Sequence, residues 1–186
     1  MDLLARLEAS IAQTRNVVVG TTPEQFTAPT PCADWDMQAL ANHLLGALVM
    51  FHDVAANGAA DMAVLQGDHV GENFVASFDN LSAATVAAWK VGDKMSNTAN
   101  MPWGEMPADV AVAMLADDIL VHGWDLAKSS GQQVDWDQAL AGETLDFARM
   151  IFAAPENREG SFAASVPVAA DADAMTQLIA FLGRNP

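Results

Sequence analysis

Apolar residues recur along most of this chain with the period of a helix. Leu3, Leu4, Leu7 and Ile11 share one face of a segment from Asp2 to about Val19, which Gly20 closes. Thr21 to Asp34 carries Pro23, Pro29 and Pro31 and reads as a loop. Asp36 suits the N-cap of a second helix, with Trp35 just outside it as a staple. Met37, Leu40, Leu44, Leu48 and Phe51 form the apolar stripe of that helix, which runs to about Asn57–Gly58. Ala59 to Phe78 has few periodic cues and reads as a connection holding a short helix. A third helix is expected from about Asp79 to Val91, capped by Asp79, Asn80 or Ser82 and ended near Gly92. Ser96 to Glu105, with Pro102-Trp103-Gly104, reads as a loop or short hairpin. The longest helix follows, from Pro107 to about Ser130, with Pro107 in its first turn and Gly131 just past its end. A fifth covers about Trp136 to Ala153. The tail from Pro155 holds an extended-looking stretch from Phe162 to Val168 and a last helix from about Ala172 to Leu182. The pattern predicts a mainly α fold. Its four longest segments suit an antiparallel four-helix bundle, with an additional C-terminal helical and extended segment.

Composition narrows the function classes. The chain has 186 residues, 52% of them hydrophobic and 17% charged, which fits one domain, 1–186, with a sizeable core. The formal net charge is −16, and 8 Lys and Arg supply no basic footprint for nucleic acid or an anionic membrane. No continuous apolar run reaches the roughly 18 residues of a membrane span. The N-terminus, Met1-Asp2-Leu3-Leu4-Ala5-Arg6, reads as a helix start rather than a signal peptide. Cys32 is the single cysteine, so no internal disulfide forms; its thiol reads as packed or inert, with a nucleophile as the alternative. A cytoplasmic location is expected. The hydrophobic fraction and five tryptophans leave surface for a homodimer.

The chemistry concentrates in the longest helix. Ala111, Leu115, Asp118, His122 and Asp125 follow one core-facing stripe, so polar residues occupy places that apolar ones should fill. Asp118 and His122 are four residues apart and lie one above the other. In the second helix, His43 falls in a stripe with Leu40, Ala47 and Met50. Burying a lone carboxylate costs several kcal/mol unless it is paired or coordinated. A divalent ion held by His43, Asp118 and His122 would offset that cost. A plain ion pair between Asp118 and His122, or a hydrogen-bonded core histidine, answers the same pattern. Asp125 is placed either to orient His122 or to cap a loop. Asp117 is expected to face solvent or a neighbouring helix, and His52 and His69 to be solvent-exposed. Trp103 and Trp124 are candidates for the mouth of a pocket.

Two longer motifs carry a resemblance. Thr30-Pro31-Cys32-Ala33-Asp34-Trp35-Asp36-Met37, followed by Asn42-His43-Leu44, resembles the second-helix signature of mycothiol-dependent maleylpyruvate isomerase-like proteins of the DinB/YfiT-like metalloprotein superfamily. Val121-His122-Gly123-Trp124-Asp125-Leu126-Ala127, with an acid four residues before the histidine, resembles their second signature. The ending Phe181-Leu182-Gly183-Arg184-Asn185-Pro186 is similar to the close of short members. The resemblance implies a four-helix bundle holding a divalent metal, usually zinc, with nickel or iron as alternatives, through His43, Asp118 and His122. The family usually has glutamate where this chain has Asp118. Asp is one methylene shorter, which implies an ion closer to the helix or bound through water. The characterised isomerases carry a further C-terminal domain for which this chain has no room, so a substrate other than maleylpyruvate is expected.

These readings lead to a thiol-using transferase or isomerase. A low-molecular-weight thiol, mycothiol or bacillithiol, would meet an open metal position and attack a small electrophile. The same position could activate water for hydrolysis. The rival classes are a non-catalytic metal-binding or stress-response module and a structural bundle without metal.

Overall fold

In the computed structural model, which describes residues 2–153 and 162–186, the chain divides into two compact units, Met1–Gln133 and Val134–Pro186. The first holds α1 (Leu3–Gly20), α2 (Met37–Asn57), α3 (Phe74–Lys90), the strands β1 (Thr98–Met101) and β2 (Gly104–Pro107), and α4 (Ala108–Ser130). The second holds α5 (Gln138–Ile151) and α6 (Ala174–Phe181).

Local chemistry sets most helix ends. Asp2, Asp36, Asn73, Asp137 and Asp173 each accept a hydrogen bond from a backbone N–H of the first helical turn, satisfying donors that the helix cannot. Gly58 and Gly131 close α2 and α4 at φ of 85° and 72°, the left-handed conformation that costs glycine no Cβ clash. Pro107 stands at the N-cap of α4 rather than inside its first turn. α3 starts five residues earlier than its polar residues indicate. Asn73 is its cap, and Phe74 and Phe78 extend the buried stripe back from Ser82 and Thr85. Asp79 lies mid-helix and pairs instead with Arg15 of α1.

The four long helices form the bundle. α1 packs against α3 and α4, and α2 packs against α3 and α4. Contacts along each pair give the directions. Glu8 pairs with Lys90 and Arg15 with Asp79, so α1 and α3 are antiparallel. His43 meets Asp118 while Phe51 meets Trp103 in the turn before α4, so α2 and α4 are antiparallel as well. Arg6 pairs with Asp117 and Thr14 bonds Ile119, which makes α1 and α4 parallel. α2 and α3 are parallel too. Asn42 bonds the backbone of His69 and Val70, Thr85 bonds Leu48, and Lys94 bonds Ala55. The chain therefore runs up, down, down and up, and residues 58–73 must return along α2 before α3 can begin.

That return is pinned. A 3-10 turn at Met62–Gln66 packs against α2, where Gly46 lets the backbone approach; a Cβ there would lie 3.0 Å from the Val64 carbonyl oxygen. Asn42 accepts from His69 N and Val70 N at 2.8 and 3.1 Å. The antiparallel hairpin, with Met101 opposite Gly104, turns through Pro102-Trp103 and leads into α4. α2 is 21 residues long, and its length and composition would suffice to cross a membrane. Here its face of Met37, Leu40, Leu44, Leu48 and Phe51 is buried in the core with Leu7, Val17, Leu115 and Ile119.

In the second unit α5 packs against α6, and Gln138 Oε1 accepts from Met175 N at 3.2 Å. Leu140, Leu145, Leu178 and Ile179 are buried. The stretch Phe162–Val168 has no regular secondary structure, and Val166 N donates to Ala180 O of α6 at 2.9 Å. The start of the tail, residues 155–161, lies outside the described residues.

Candidate metal centre

The antiparallel contact of α2 and α4 brings three donor groups together. His43 comes from the second turn of α2, and Asp118 and His122 from successive turns of α4. Asp118 Oδ1 lies 3.4 Å from His43 Nε2 and 3.4 Å from His122 Nε2. The two imidazole rings are 4.9 Å apart and nearly perpendicular, at 78°. The side chains of His43 and Asp118 are 22% and 29% exposed and that of His122 10%, so the cluster opens toward solvent on its His43 and Asp118 side.

The spacing separates two kinds of contact. Charge-assisted N–H···O bonds settle at about 2.7–2.9 Å. Donor atoms on a tetrahedral ion with bonds of about 2.0–2.1 Å stand about 3.3–3.4 Å apart. Both 3.4 Å separations match the second figure. Asp118 Oδ2 is buried with no hydrogen-bond partner among the described residues, an expensive state for a carboxylate oxygen. Two neutral imidazole nitrogens and one carboxylate are a donor set that small divalent ions accept. The residues present therefore fit such an ion, and the shorter aspartate side chain still reaches both histidines.

The same groups perturb one another as they stand. Burial opposes charge on Asp118, but the adjoining charges of His122 and His43 outweigh it and hold the carboxyl well below the usual range. Burial likewise opposes a proton on His122, and the Asp118 charge with bonds to Asp118, Asp125 and Cys32 raises its proton affinity well above the ordinary histidine value.

Behind His122 the spacing changes. Its Nδ1 lies 2.9 Å from Asp125 Oδ2, an ordinary hydrogen bond to a fully buried carboxylate. Nδ1 donates there, which leaves Nε2 as the nitrogen facing Asp118. Cys32 Sγ lies 3.4 Å from the same oxygen. Cys32 sits in a loop organised by Thr30. The Thr30 hydroxyl accepts from Cys32 N at 3.1 Å and lies 3.0 and 2.8 Å from the carbonyl oxygens of Cys32 and Trp35. The loop also carries Trp35, whose ring centroid is 4.6 Å from that of His43 and 5.8 Å from that of His122.

Several other expectations resolve here. Asp117 faces a neighbouring helix, where it forms a largely buried ion pair with Arg6. His52, also expected to be solvent-exposed, is half-buried beside Asp53, 3.3 Å away, and stands apart from the cluster. His69 is not solvent-exposed: it is half-buried, and its Nε2 lies 2.5 Å from Val64 O, closing the return segment. Trp103 meets Phe51 with the rings tilted by 60° and their centroids 6.5 Å apart, and Trp124 lies under Lys128. The tryptophan at the centre is Trp35, which sequence reasoning placed only as a staple, and the Cys32 contact was missed as well. Their nearness in sequence to the cap Asp36 and to His43 was the available signal.

The fold and this cluster define a class: a helical bundle whose facing helices converge two histidines and an acid on one open position. Residues 7–127 match the model of the family described as mycothiol maleylpyruvate isomerase N-terminal domain. Uncharacterized proteins from two strains of Mycobacterium tuberculosis are each 32% identical over 163 residues, covering 87% of this chain and 86% of theirs. The crystal structure of the mycothiol-dependent maleylpyruvate isomerase superposes with a TM-score of 0.62 at 15% identity, over 86% of this chain and 74% of that one. A histidine-to-alanine mutant of that enzyme gives a TM-score of 0.60 at 15% identity, over 78% and 68% of the two chains. At that identity the likeness speaks to the fold. The chain belongs to the mycothiol maleylpyruvate isomerase N-terminal domain family.

Proposed function

We propose that this protein is a metal-dependent transferase or isomerase that uses a low-molecular-weight thiol, mycothiol by family membership, on a small electrophile. His43, Asp118 and His122 are the proposed ligands, and zinc is the proposed ion, with nickel or iron as alternatives. The observation that supports this most is the pair of 3.4 Å separations around Asp118 Oδ1, together with its partnerless second oxygen. A divalent ion held by three protein groups supplies an open Lewis-acid position at which a thiol readily loses its proton. The chain's own residues prepare that position. Asp125 keeps a proton on His122 Nδ1, so that Nε2 is the nitrogen presented to the ion once its own proton is displaced. Asp118 neutralises part of the cationic charge. Trp35 lies against both imidazoles, its ring centroid 4.6 Å from that of His43 and 5.8 Å from that of His122. The acidity of the chain favours small-molecule partners over nucleic acid, and a thiol co-substrate suits a reducing cytoplasm.

Elemental analysis of tag-free wild-type protein and of His122→Ala tests this first. About one ion per chain, lost in the variant, is the expected result. Mycothiol with monobromobimane or chlorodinitrobenzene should then give turnover that a chelator abolishes. Stoichiometric metal without turnover across a thiol panel would make the protein a non-catalytic metal-binding module. No metal after reconstitution would leave Asp118 and His122 as a structural ion pair.

A further inference from the structure

The two sides of the His122 ring are built differently. On the Nε2 side the donors are spaced as ligands are. On the Nδ1 side the contact with Asp125 is a 2.9 Å hydrogen bond, shorter than the edge of a tetrahedral zinc site. Asp125 Oδ2 also receives the Cys32 thiol at 3.4 Å, within the longer reach of sulfur. A fully buried carboxylate oxygen in this position has two lone-pair directions to satisfy. One is met by the imidazole of a proposed ligand, and the other by a thiol from a loop that Thr30 ties to the backbone around Trp35.

We propose that Cys32 is a positioning residue of the metal centre. Its S–H, donated to Asp125 Oδ2, fixes the carboxylate that in turn holds His122 with Nε2 facing Asp118 and His43. The cysteine acts on the ion only through Asp125 and His122 and is not itself a ligand. This rests on the metal reading given above. The chemistry asks for a hydrogen-bond donor at position 32. Serine satisfies it in part, because its oxygen stands closer to Cβ than sulfur does. Alanine does not satisfy it, and removes one of the contacts that hold the Asp125 carboxylate beside Nδ1. Outer partners of this kind typically contribute 10–100-fold to metal affinity. A donor one step further out belongs at the lower end, about 10-fold.

The test is a double-mutant cycle read as zinc affinity, by competition with a chromophoric chelator, on the full chain. It uses wild type, Cys32→Ala, Cys32→Ser, Asp125→Asn and the Cys32→Ala/Asp125→Asn pair. The expected result is about 10-fold weaker binding in Cys32→Ala, partly recovered in Cys32→Ser, and no further loss when Cys32→Ala is added to Asp125→Asn. Far-ultraviolet circular dichroism confirms that each variant is folded, and Cys32→Ser keeps the test open should the alanine variant fail that check. Wild-type affinity in Cys32→Ala, or additive losses in the pair, would overturn the proposal while leaving the metal site standing. A thiolate-to-cobalt charge-transfer band in the Co²⁺ protein that vanishes in Cys32→Ala would overturn it in another way, by making Cys32 a ligand. Wild-type protein that binds no ion would overturn both readings.

Discussion

Replacing Gly123 by alanine probes why a glycine stands between the two polar residues His122 and Asp125. A Cβ at position 123 would lie 2.2 Å from Thr14 Oγ1 and 3.0 and 3.1 Å from Thr14 Cβ and Cγ2. Thr14 is fully buried on α1, and its hydroxyl donates to Ile119 O at 2.9 Å. The parallel helices α1 and α4 must therefore separate, or the threonine must rotate and give up its bond. Overpacking of this kind costs about 1–3 kcal/mol, and the lost hydrogen bond about 1 kcal/mol. Alanine returns about 1 kcal/mol through its better helix propensity. The expected net loss is about 1–3 kcal/mol, read as a lower urea midpoint with an unchanged m-value by tryptophan emission. Adding Thr14→Ala removes the hydroxyl and methyl and leaves only the 3.0 Å approach to Cβ, so the double variant should recover stability relative to Gly123→Ala alone. A Gly123→Ala protein as stable as wild type, or a double variant whose losses simply add, would refute close helix approach as the reason for this glycine.

Other predictions concern the site and its supports. Because His122 binds its proton unusually tightly, an entering ion must displace it. Zinc association should therefore strengthen about tenfold per pH unit through neutrality, up to the raised His122 value, and calorimetry in two buffers should count about one proton released; a pH-independent constant would contradict this. In metal-free protein the Asp118–His122 pair should stabilise the fold fully between about pH 4 and 6.5. That contribution should fade as pH rises through the raised His122 value and as it falls through the lowered Asp118 value; Asp118→Asn should flatten both limbs of the denaturation profile. Asp36→Ala removes the cap that accepts from Ala39 N at 2.8 Å and should cost about 1 kcal/mol in thermal unfolding. Thr30→Val should loosen the loop carrying Cys32 and Trp35 and weaken zinc binding several-fold, with little change in helix content.

Asp118 and His122 could be placed on one face from sequence because a helix repeats every 3.6 residues, and residues four apart need no tertiary information to be neighbours. The cap Asp36 and the glycine ends at 58 and 131 were legible for the same reason, since each acts within a turn of itself. His43 could be nominated from its place beside an apolar stripe and from its motif. The start of α3 was not legible, because Asn73 and Asp79 are both competent caps. The choice fell to burial of Phe74 and Phe78 and to Arg15 across the α1–α3 contact. The order of helix directions was hidden as well: whether residues 58–73 turn back at once or return along α2 depends on Asn42, Gly46 and His69 meeting across the sequence. Cys32 and Trp35 were readable as loop residues, but not as the groups that touch Asp125, His43 and His122. Loop side chains take their direction from hydrogen bonds such as those of Thr30, which no periodicity encodes. Local chemistry thus determined the helices and which face of each carried polar groups. Only the packing of α2 against α4 decided that three of those groups share one point in space, because bringing residues 43 and 118 together is a property of the whole bundle and of neither helix alone.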